Sequence, residues 1–325
     1  MTYASSFALS PLPSTVTLES RMSSPESGPP ASLDDVKGWF PKIDQSLFTW
    51  FLERQDRLGE TGDLVELGSY LGKSAILMGR HTRDGETFTV CDLFDSEASD
   101  HSNQEEMARS YSSLTRTAFE TNYLAFHDRL PQIVQGPTSM ILDHVQPGSC
   151  RFVHVDASHL YEHVHGDIRA AHVMLPTGGV IVCDDYRSEH TPGVSAAVWE
   201  AVTVDGLRPI CITPQKFYGT WGDIGPFQKD LLNWLEKQED VWHEVQQVAG
   251  QELVRIKQKP ASKPKKDDQV RKLKARLAEA EERRAQAEDR LAGARKELGA
   301  VRNSVSFKVG RKATALPRAI RGKRK

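Results

Sequence analysis

Two short stretches of the sequence place polar residues directly after apolar runs, where they could bind a ligand. Residues 64–75 read LVELGSYLGKSA, and here Glu66, Gly68 and Gly72 surround a turn between an apolar run and a helical one. Asp92 closes the next apolar run, 20 residues after Gly72. Backbone N–H groups at such a turn face a ligand. An acid at the end of the second strand, here Asp92, can accept hydrogen bonds from both ribose hydroxyls. The spacing therefore predicts a nucleoside site.

The same stretch ends in the letters GKS, as a phosphate-binding P-loop does. A P-loop needs four residues between its glycines, whereas three separate Gly68 from Gly72 and Leu67 stands where the first glycine belongs. The acid Glu66 would repel a pyrophosphate but suits a cationic amino-acid tail, such as that of S-adenosylmethionine. A P-loop NTP-binding enzyme is the alternative, because VIVCDD resembles a strand that ends in magnesium-binding aspartates.

Alternating patterns along the chain predict the elements that position these residues. Short apolar runs predict seven strands, at residues 63–67, 87–92, 132–136, 151–156, 178–185, 208–213 and 252–257. Helical periodicity precedes or separates them, at residues 39–52, 72–81, 104–126, 161–175 and 193–202. This order predicts an α/β fold with a Rossmann-like, doubly wound, mostly parallel seven-stranded sheet, followed by a C-terminal coiled-coil or amphipathic helix.

Composition divides the 325 residues into five segments. The formal net charge is −2, yet the last 25 residues carry nine Lys or Arg and no acid. Apolar residues alternate by four and three from Val270 to Val305, as in a heptad repeat. The predicted segments are a disordered N-terminal segment at 1–32, a folded domain at 33–257, a linker at 258–269, a coiled-coil helix at 270–305 and a basic tail at 306–325.

Cysteine usage and hydropathy indicate a compartment. The four cysteines form no C-x-x-C pair and no disulfide-like spacing, so we expect neither a zinc site nor disulfides. No run reaches the ~18 apolar residues that a membrane span needs. The N-terminus lacks the apolar core of a secretion signal. We therefore expect a cytoplasmic protein.

Three stretches together resemble a known family. They read VELGSYLGKSA, HVDASHLYEHVHGDIRAAHVMLPTGGVIVCDDY and PGVSAAVWEAV, and the likeness covers roughly residues 60–215. They are similar to the class I S-adenosylmethionine-dependent methyltransferases, most of all to the group that includes the macrocin-type sugar O-methyltransferases. The first loop alone is moderately specific, whereas the three stretches in this order are a strong signal.

The resemblance implies which residues bind the cofactor, S-adenosyl-L-methionine. The positions that match the cofactor-binding motifs of the family are Glu66, Gly68, Ser69, Tyr70, Gly72, Ser74, Asp92, Gly136 and Thr138. By this match the first loop would contact the methionine and ribose parts, and Asp92 would hold the ribose. Gly136 and Thr138 would lie near the adenine.

The resemblance also implies a metal ion. Sugar O-methyltransferases of this group bind Mg²⁺ through three aspartates, which by position are Asp156, Asp184 and Asp185 here. Because adjacent parallel strands end at one edge of a sheet, these carboxylates are expected together, and three oxygen donors suit Mg²⁺. The ion would lower the pKa of an acceptor hydroxyl, and the catalytic base would be Asp156 or His159.

We therefore expect an S-adenosylmethionine-dependent O-methyltransferase that acts on a sugar or glycan hydroxyl with divalent-metal assistance. The first alternative is the P-loop-type NTP-binding enzyme. The second, from another class, is a non-catalytic nucleoside-binding scaffold that works through its coiled coil.

The expected partners follow from the same segments. The acceptor would be a small molecule or a glycan. In the basic tail, apolar residues interleave with cations, which suggests an anionic membrane surface or a protein partner, and a peripheral place at the inner membrane face. The heptads suggest a homo-oligomer. We expect no specific nucleic acid, because the folded segment shows no basic groove.

Overall fold

The computed structural model describes residues 29–96, 114–260 and 266–303. The chain divides into two compact units between Lys259 and Pro260. The N-terminal segment predicted at 1–32 and the basic tail at 306–325 lie almost wholly outside the described residues. Among the described helices, none is both long and apolar enough to cross a membrane.

Nine strands of the first unit form a single mixed sheet. They are β1 (Asp63–Leu67), β2 (Phe88–Asp92), β3 (Gln132–Gln135), β4 (Cys150–Val155), β5 (Val180–Cys183), β6 (Arg208–Ile212), β7 (Phe217–Thr220), β8 (Val241–Val248) and β9 (Gln251–Gln258). Their spatial order is β3-β2-β1-β4-β5-β7-β6-β9-β8. Strands β1 to β5 pair in parallel, β7 is antiparallel to both neighbours, and β8 and β9 form an antiparallel pair. The predicted α/β, Rossmann-like, mostly parallel sheet is confirmed.

Six α-helices lie in the described part of this unit. They are α1 (Lys42–Arg57), α2 (Lys73–Gly79), α3 (Arg116–Leu124), α4 (Tyr161–Met174), α5 (Pro192–Thr203) and α6 (Gly225–Leu235). Two 3₁₀ turns cover Leu33–Asp35 and Thr138–Asp143. The helix predicted over 104–126 is described from Arg116, since residues 97–113 lie outside the described part.

Side chains along each central strand alternate between two apolar layers, as the period of two requires. Phe152 packs in the layer that contains Phe48 of α1 and Leu231 of α6. Its neighbour Val153 packs in the opposite layer, with Ile168 of α4. Helices therefore cover both faces of the sheet, and all six residues of β4 are buried. The polar ends of these strands are where a ligand can reach the sheet.

The predicted number of seven strands is wrong, because β7 and β8 were missed. β7 is four residues long and contains Gly219, so it lacks a period long enough to recognise. β8 has a mostly polar sequence with Val241 as its buried residue, because it is the edge strand beside β9. The antiparallel β7 sits between β5 and β6, and it places the residue before it, Lys216, beside the strand ends.

The second unit is described as one helix, α7 (Lys266–Asn303). It begins four residues before the predicted start at residue 270, so the predicted linker is shorter than 258–269. Leu277, Leu291 and Leu298 of the heptad pattern are each more than half exposed. The C-terminal helix is thus confirmed, and its assembly into a coiled coil stays a prediction.

A buried cluster of charged residues connects α1, the turn before β2, and β4. It lies at the amino ends of the strands, away from the cavity. Arg151 donates from Nε and Nη2 to the two carboxylate oxygens of Glu86, at 3.0 and 2.9 Å, and from Nη1 to Gln55 at 2.9 Å. Burial opposes ionisation of Glu86, but hydrogen bonds from Arg151 and Arg83 outweigh it and lower its pKa to about 2. The carboxylate therefore stabilises the fold while it is ionised.

We expect Glu86→Gln to lower the free energy of unfolding at pH 7 by about 3 kcal/mol, because it leaves the Arg151 guanidinium buried without its anion. The folded pKa of Glu86 is about 2, below its ordinary value of 4.5. The stabilisation is therefore complete above pH 4.5 and is lost as the pH falls toward 2. Urea unfolding at pH 7 and pH 3 measures this, with Asp223→Asn, an exposed acid, as the control. If Glu86→Gln lost as much free energy of unfolding between pH 7 and pH 3 as wild type does, Glu86 would not be the titrating group.

Candidate active site

The strand ends open into one large cavity of about 1500 Å³ in the first unit. Its wall includes a residue that follows each of three central strands: Gly68 after β1, Asp156 after β4 and Asp184 after β5. Asp92, the last residue of β2, also lines it. Typical sites for one small molecule measure about 300–1,000 Å³, so this cavity can hold two ligands side by side.

Seven of the nine residues predicted to bind the cofactor line this cavity. They are Gly68, Ser69, Tyr70, Ser74, Asp92, Gly136 and Thr138. They come from the β1–α2 loop, the end of β2 and the turn after β3, which meet at one end of the cavity. The structure therefore brings together residues that the sequence separates by up to 70 positions.

The other two predicted cofactor residues, Glu66 and Gly72, do not line the cavity. Glu66 is fully buried in β1 and faces His154 of β4, with Oε1 2.8 Å from Nδ1. Burial raises the pKa of Glu66 to about 8, so the carboxyl is mostly neutral at pH 7 and presents no full charge. Gly72 caps α2 with a φ of +90°, and a Cβ there would meet the ring of Phe119 at 3.0 Å.

Asp92 organises the β1–α2 loop. Its Oδ2 accepts the N–H groups of Ser69 at 2.7 Å and Tyr70 at 3.1 Å, and its Oδ1 accepts the N–H of Phe94 at 2.9 Å. The donors that would surround a phosphate in a P-loop are thus already taken by a carboxylate. The P-loop alternative is therefore wrong. Oδ1 accepts one described hydrogen bond, so it retains a lone pair toward a ligand.

Gly68 is required because the loop passes against the end of β4. Its φ is +80°, and an added Cβ would lie 2.3 Å from the carbonyl oxygen of Asp156. No side chain fits that space. The glycine found by sequence spacing therefore permits the contact between the loop and the neighbouring strand end.

Residues directly before α1 form part of the cavity wall, beside the β1–α2 loop. Trp39 stacks on Tyr70 of the loop, with ring centroids 5.7 Å apart and planes inclined by 27°. Lys37, Gly38, Trp39 and Phe40 all line the cavity. Tyr70 has a φ of +49°, a strained conformation for a residue with a side chain. That conformation turns its ring toward the covering segment.

At the other end of the cavity, His159 and Asp185 form a pair. His159 Nε2 lies 3.3 Å from Asp185 Oδ2, and Ser188 donates to Asp185 Oδ1 at 2.7 Å. Although burial opposes it, hydrogen bonds from His159 and Ser188 lower the pKa of Asp185. The carboxylate is therefore ionised, orients the imidazole and stabilises its protonated form. This is the arrangement of a general base with its orienting acid.

The three aspartates predicted to bind Mg²⁺ do not converge on one point. Asp185 turns to His159, and its N–H donates to Asp184 Oδ1 at 2.8 Å. Asp184 Oδ2 forms a short ion pair with the ammonium of Lys216. Among the described residues, the metal-ligand types whose atoms lie within 4.8 Å of one another are His154, Asp156 and Asp184. A lysine ammonium already touches two of these three.

Comparisons with known proteins agree with this architecture. Residues 65–186 match the family model described as a methyltransferase domain. The chain contains a methyltransferase domain. The match runs from β1 to the residue after Asp185, so it includes both ends of the cavity. The resemblance to class I S-adenosylmethionine-dependent methyltransferases is thereby confirmed, and so is the prediction of an enzyme.

Solved structures similar to the chain include those of three methyltransferases. The O-methyltransferase NovP is 20% identical and has a TM-score of 0.44, with 55% of this chain and 79% of that chain covered. SAH-bound PaMTH1 from Podospora anserina is 16% identical, with 59% and 86% covered and a TM-score of 0.40. MycE, in complex with Mg, SAH and mycinamycin VI, is 15% identical, with 58% and 52% covered and a TM-score of 0.37. Among curated proteins, no sequence matches this chain significantly.

Sequence reasoning missed several buried polar residues of the first unit. Lys216 Nζ lies 3.2 Å from His154 Nε2, and the other nitrogen of that imidazole faces Glu66. Asp44 of α1 is fully buried and accepts a hydrogen bond from Tyr218 at 2.8 Å. A signal did exist for two of them: His154 interrupts an apolar strand, and Asp44 lies on the apolar face of α1. Buried polar residues on such faces need partners.

Asp167 of α4 was also missed. It lines the cavity but is 3% exposed, and among the described residues its Oδ2 has no hydrogen-bond partner. Burial raises the pKa of Asp167 to about 7, against a hydrogen bond from Thr138. The methyltransferase domain thus keeps an unsatisfied acceptor beside Thr138, in the region that the resemblance assigns to adenine.

We expect Gly68→Ala to destabilise the methyltransferase domain far more than Gly85→Ala. Both glycines have a left-handed φ, but a Cβ at Gly85 meets nothing within 4 Å. Gly85→Ala should therefore cost only the backbone strain, about 1 kcal/mol. Gly68→Ala adds the clash with the backbone of Asp156, so its loss should be severalfold larger. Urea unfolding of both variants measures this, and equal losses would contradict the packing role of Gly68.

Proposed function

We propose that this protein is an S-adenosylmethionine-dependent O-methyltransferase that acts on a hydroxyl of a sugar or glycan. The observation that carries the proposal is the His159–Asp185 pair at one end of a cavity whose other end is the β1–α2 loop and Asp92. A base and a nucleoside site in one cavity are what methyl transfer to a hydroxyl needs.

The residues at the loop end fit the cofactor. Asp92 Oδ1 can accept a ribose hydroxyl, and the unsatisfied Asp167 Oδ2 fits the exocyclic amine of adenine beside Thr138. Trp39 and Tyr70 cover the same end with aromatic surface. The bound cofactor supplies a methyl group on a sulfonium, which is activated for transfer. Glu66 is buried behind the cavity wall, so it does not contact the cofactor in the proposed mode of binding.

His159 removes the proton of the acceptor hydroxyl. Its Nε2–H donates to Asp185, which makes Nδ1 the basic nitrogen. Asp92 and Asp167 would hold the cofactor, which would supply its methyl group to the acceptor oxygen, and His159 would take the hydroxyl proton at Nδ1. The products are a methyl ether and S-adenosylhomocysteine, and the ionised Asp185 stabilises the imidazolium that results.

Asp156, the other predicted base, suits a different role. It opens onto the cavity, yet burial by the surrounding protein and the charge of Asp184 raise its pKa well above the ordinary value. A raised pKa favours the protonated carboxyl, which donates a hydrogen bond rather than removing a proton. We propose that Asp156 donates a hydrogen bond to the acceptor. The predicted Mg²⁺ does not fit Asp156, Asp184 and Asp185 in their present orientations, so the proposed mechanism does not use it.

The acceptor end suits a molecule with several hydroxyls. Its lining includes Ser158, His159, Asp185, Ser188 and His190. These side chains offer several hydrogen-bond donors and acceptors, which suit the hydroxyls of a sugar. This supports the predicted small-molecule or glycan acceptor.

We expect His159→Ala to abolish methyl transfer while S-adenosylhomocysteine still binds, because the base and the cofactor residues lie at opposite ends of the cavity. A loss of about 10²–10⁴-fold is typical for removal of a general base. The assay transfers a labelled methyl group to a glycan and sugar extract from cells that lack the gene, and titration calorimetry measures binding. The exposed His144→Ala is the control. A wild-type protein that binds S-adenosylhomocysteine and methylates nothing would favour the scaffold alternative.

We expect Asp167→Ala to weaken S-adenosylhomocysteine binding by about tenfold, the effect of one lost hydrogen bond to a charged or buried acceptor. Wild type should prefer S-adenosylhomocysteine over S-inosylhomocysteine, which lacks the amine, and the variant should lose that preference. Calorimetric titration with both ligands measures this. Asp143→Ala, an exposed acid on the nearby 3₁₀ turn, is the control. A variant that keeps the wild-type preference would contradict the role of Asp167.

A further inference from the structure

The acidic ends of β4 and β5 surround a buried lysine. Lys216 is 1% exposed, and its ammonium pairs with Asp184 Oδ2 and lies 3.2 Å from His154 Nε2. It also lies 5.5 Å from the ring centroid of Phe40 and 5.8 Å from that of Phe48. The ammonium therefore occupies the space between the atoms that could hold a metal ion.

The fold holds Lys216 in this position from both sides. Its N–H donates to Thr213 Oγ1 at 2.8 Å, and its carbonyl accepts the N–H of Thr213 at 2.9 Å, which closes a tight turn before β7. The carboxylate of Asp184 pairs with its ammonium, and Asp44 of α1 adds a second acid nearby. The side chain is thus a fixed cation.

The hydrogen-bond directions around Lys216 agree with one another. An ammonium has no acceptor, so His154 Nε2 must accept from it, which assigns the proton of this neutral imidazole to Nδ1. Nδ1–H then donates to Glu66 Oε1 at 2.8 Å. Glu66, predicted as a cofactor residue, is the far end of this buried chain.

A divalent ion at Asp184 would compete directly with Lys216. Both oxygens of Asp184 are engaged, Oδ1 by the N–H of Asp185 and Oδ2 by the ammonium. The third predicted ligand, Asp185, is held by His159 and Ser188. To bind Mg²⁺ between these groups, the site would have to displace the buried Lys216 ammonium from its ion pair with Asp184, which is unfavourable.

We propose that the Lys216 ammonium is the resident cation of this site, standing in the place of a divalent metal, and that methyl transfer needs no metal ion. The inference rests on the proposed function, because that function assigns the cavity to methyl transfer. Whether Lys216 excludes a metal ion can be tested without measuring turnover. Lys216 does not line the cavity, so it acts through Asp184 and His154 as a positioning residue.

The direct test is titration of the wild-type protein with Mn²⁺, followed by the electron paramagnetic resonance signal of the free ion. We expect wild type to leave the signal undiminished at one equivalent. Lys216→Ala should remove one equivalent from solution, because Asp156, Asp184 and His154 are then left without their cation. The double variant Lys216→Ala with Asp184→Asn should bind no Mn²⁺ again. Stoichiometric binding by wild type that Asp184→Asn abolishes would overturn the proposal, and so would a folded Lys216→Ala protein that binds none.

A second readout uses turnover and cofactor binding together. Wild type dialysed against EDTA should transfer methyl groups as fast as before, whereas a loss restored by Mg²⁺ would overturn the proposal. Lys216→Met should lower kcat by about 10- to 100-fold, as loss of a supporting contact does, with the KM for S-adenosylmethionine unchanged. The exposed Lys229→Met is the control. If wild type does not bind S-adenosylhomocysteine, the proposed function fails, and the Mn²⁺ titration still decides the role of Lys216.

Discussion

One buried ammonium group decides how the acidic strand ends of this protein can coexist. Lys216 pairs with the carboxylate of Asp184 at the end of β5, and Asp156 at the end of β4 and Asp44 of α1 are further acids nearby. Removing an ion from water is costly, so a buried cation persists only with its anions in contact. Because β7 runs antiparallel between β5 and β6, the turn before it delivers Lys216 to this position.

The ion pair between Lys216 and Asp184 separates two sets of polar residues, an inner layer buried behind the cavity wall and an outer layer that lines the cavity. The inner layer, from Glu66 through His154 to Lys216, is sealed and has no contact with the cavity. The outer layer faces the cavity and offers Asp92 at one end and His159 at the other. A fixed inner layer that contains one buried cation lets the outer groups differ in protonation state within a short distance, as acid and base roles require.

The sequence predicted the outer layer well and the inner layer poorly. Asp92 and Gly68 were found because their distance along the chain reflects a strand-turn-helix-strand unit, which is local. Glu66 was placed in the cavity by its charge, yet the period of two along β1 turns it to the α1 face. Lys216 could not be placed at all, because β7 is too short to predict and its position depends on strand order, which is not local.

The central claim is that this methyltransferase domain holds its cofactor beside a site whose cation is a lysine. A crystal structure of the full chain grown with S-adenosylhomocysteine and excess Mg²⁺ tests it most directly. The account predicts the ligand between Asp92 and Asp167, the Lys216 ammonium on Asp184, and no metal at the strand ends. An octahedral ion bound by Asp156, Asp184 and Asp185, with Lys216 displaced, would contradict it.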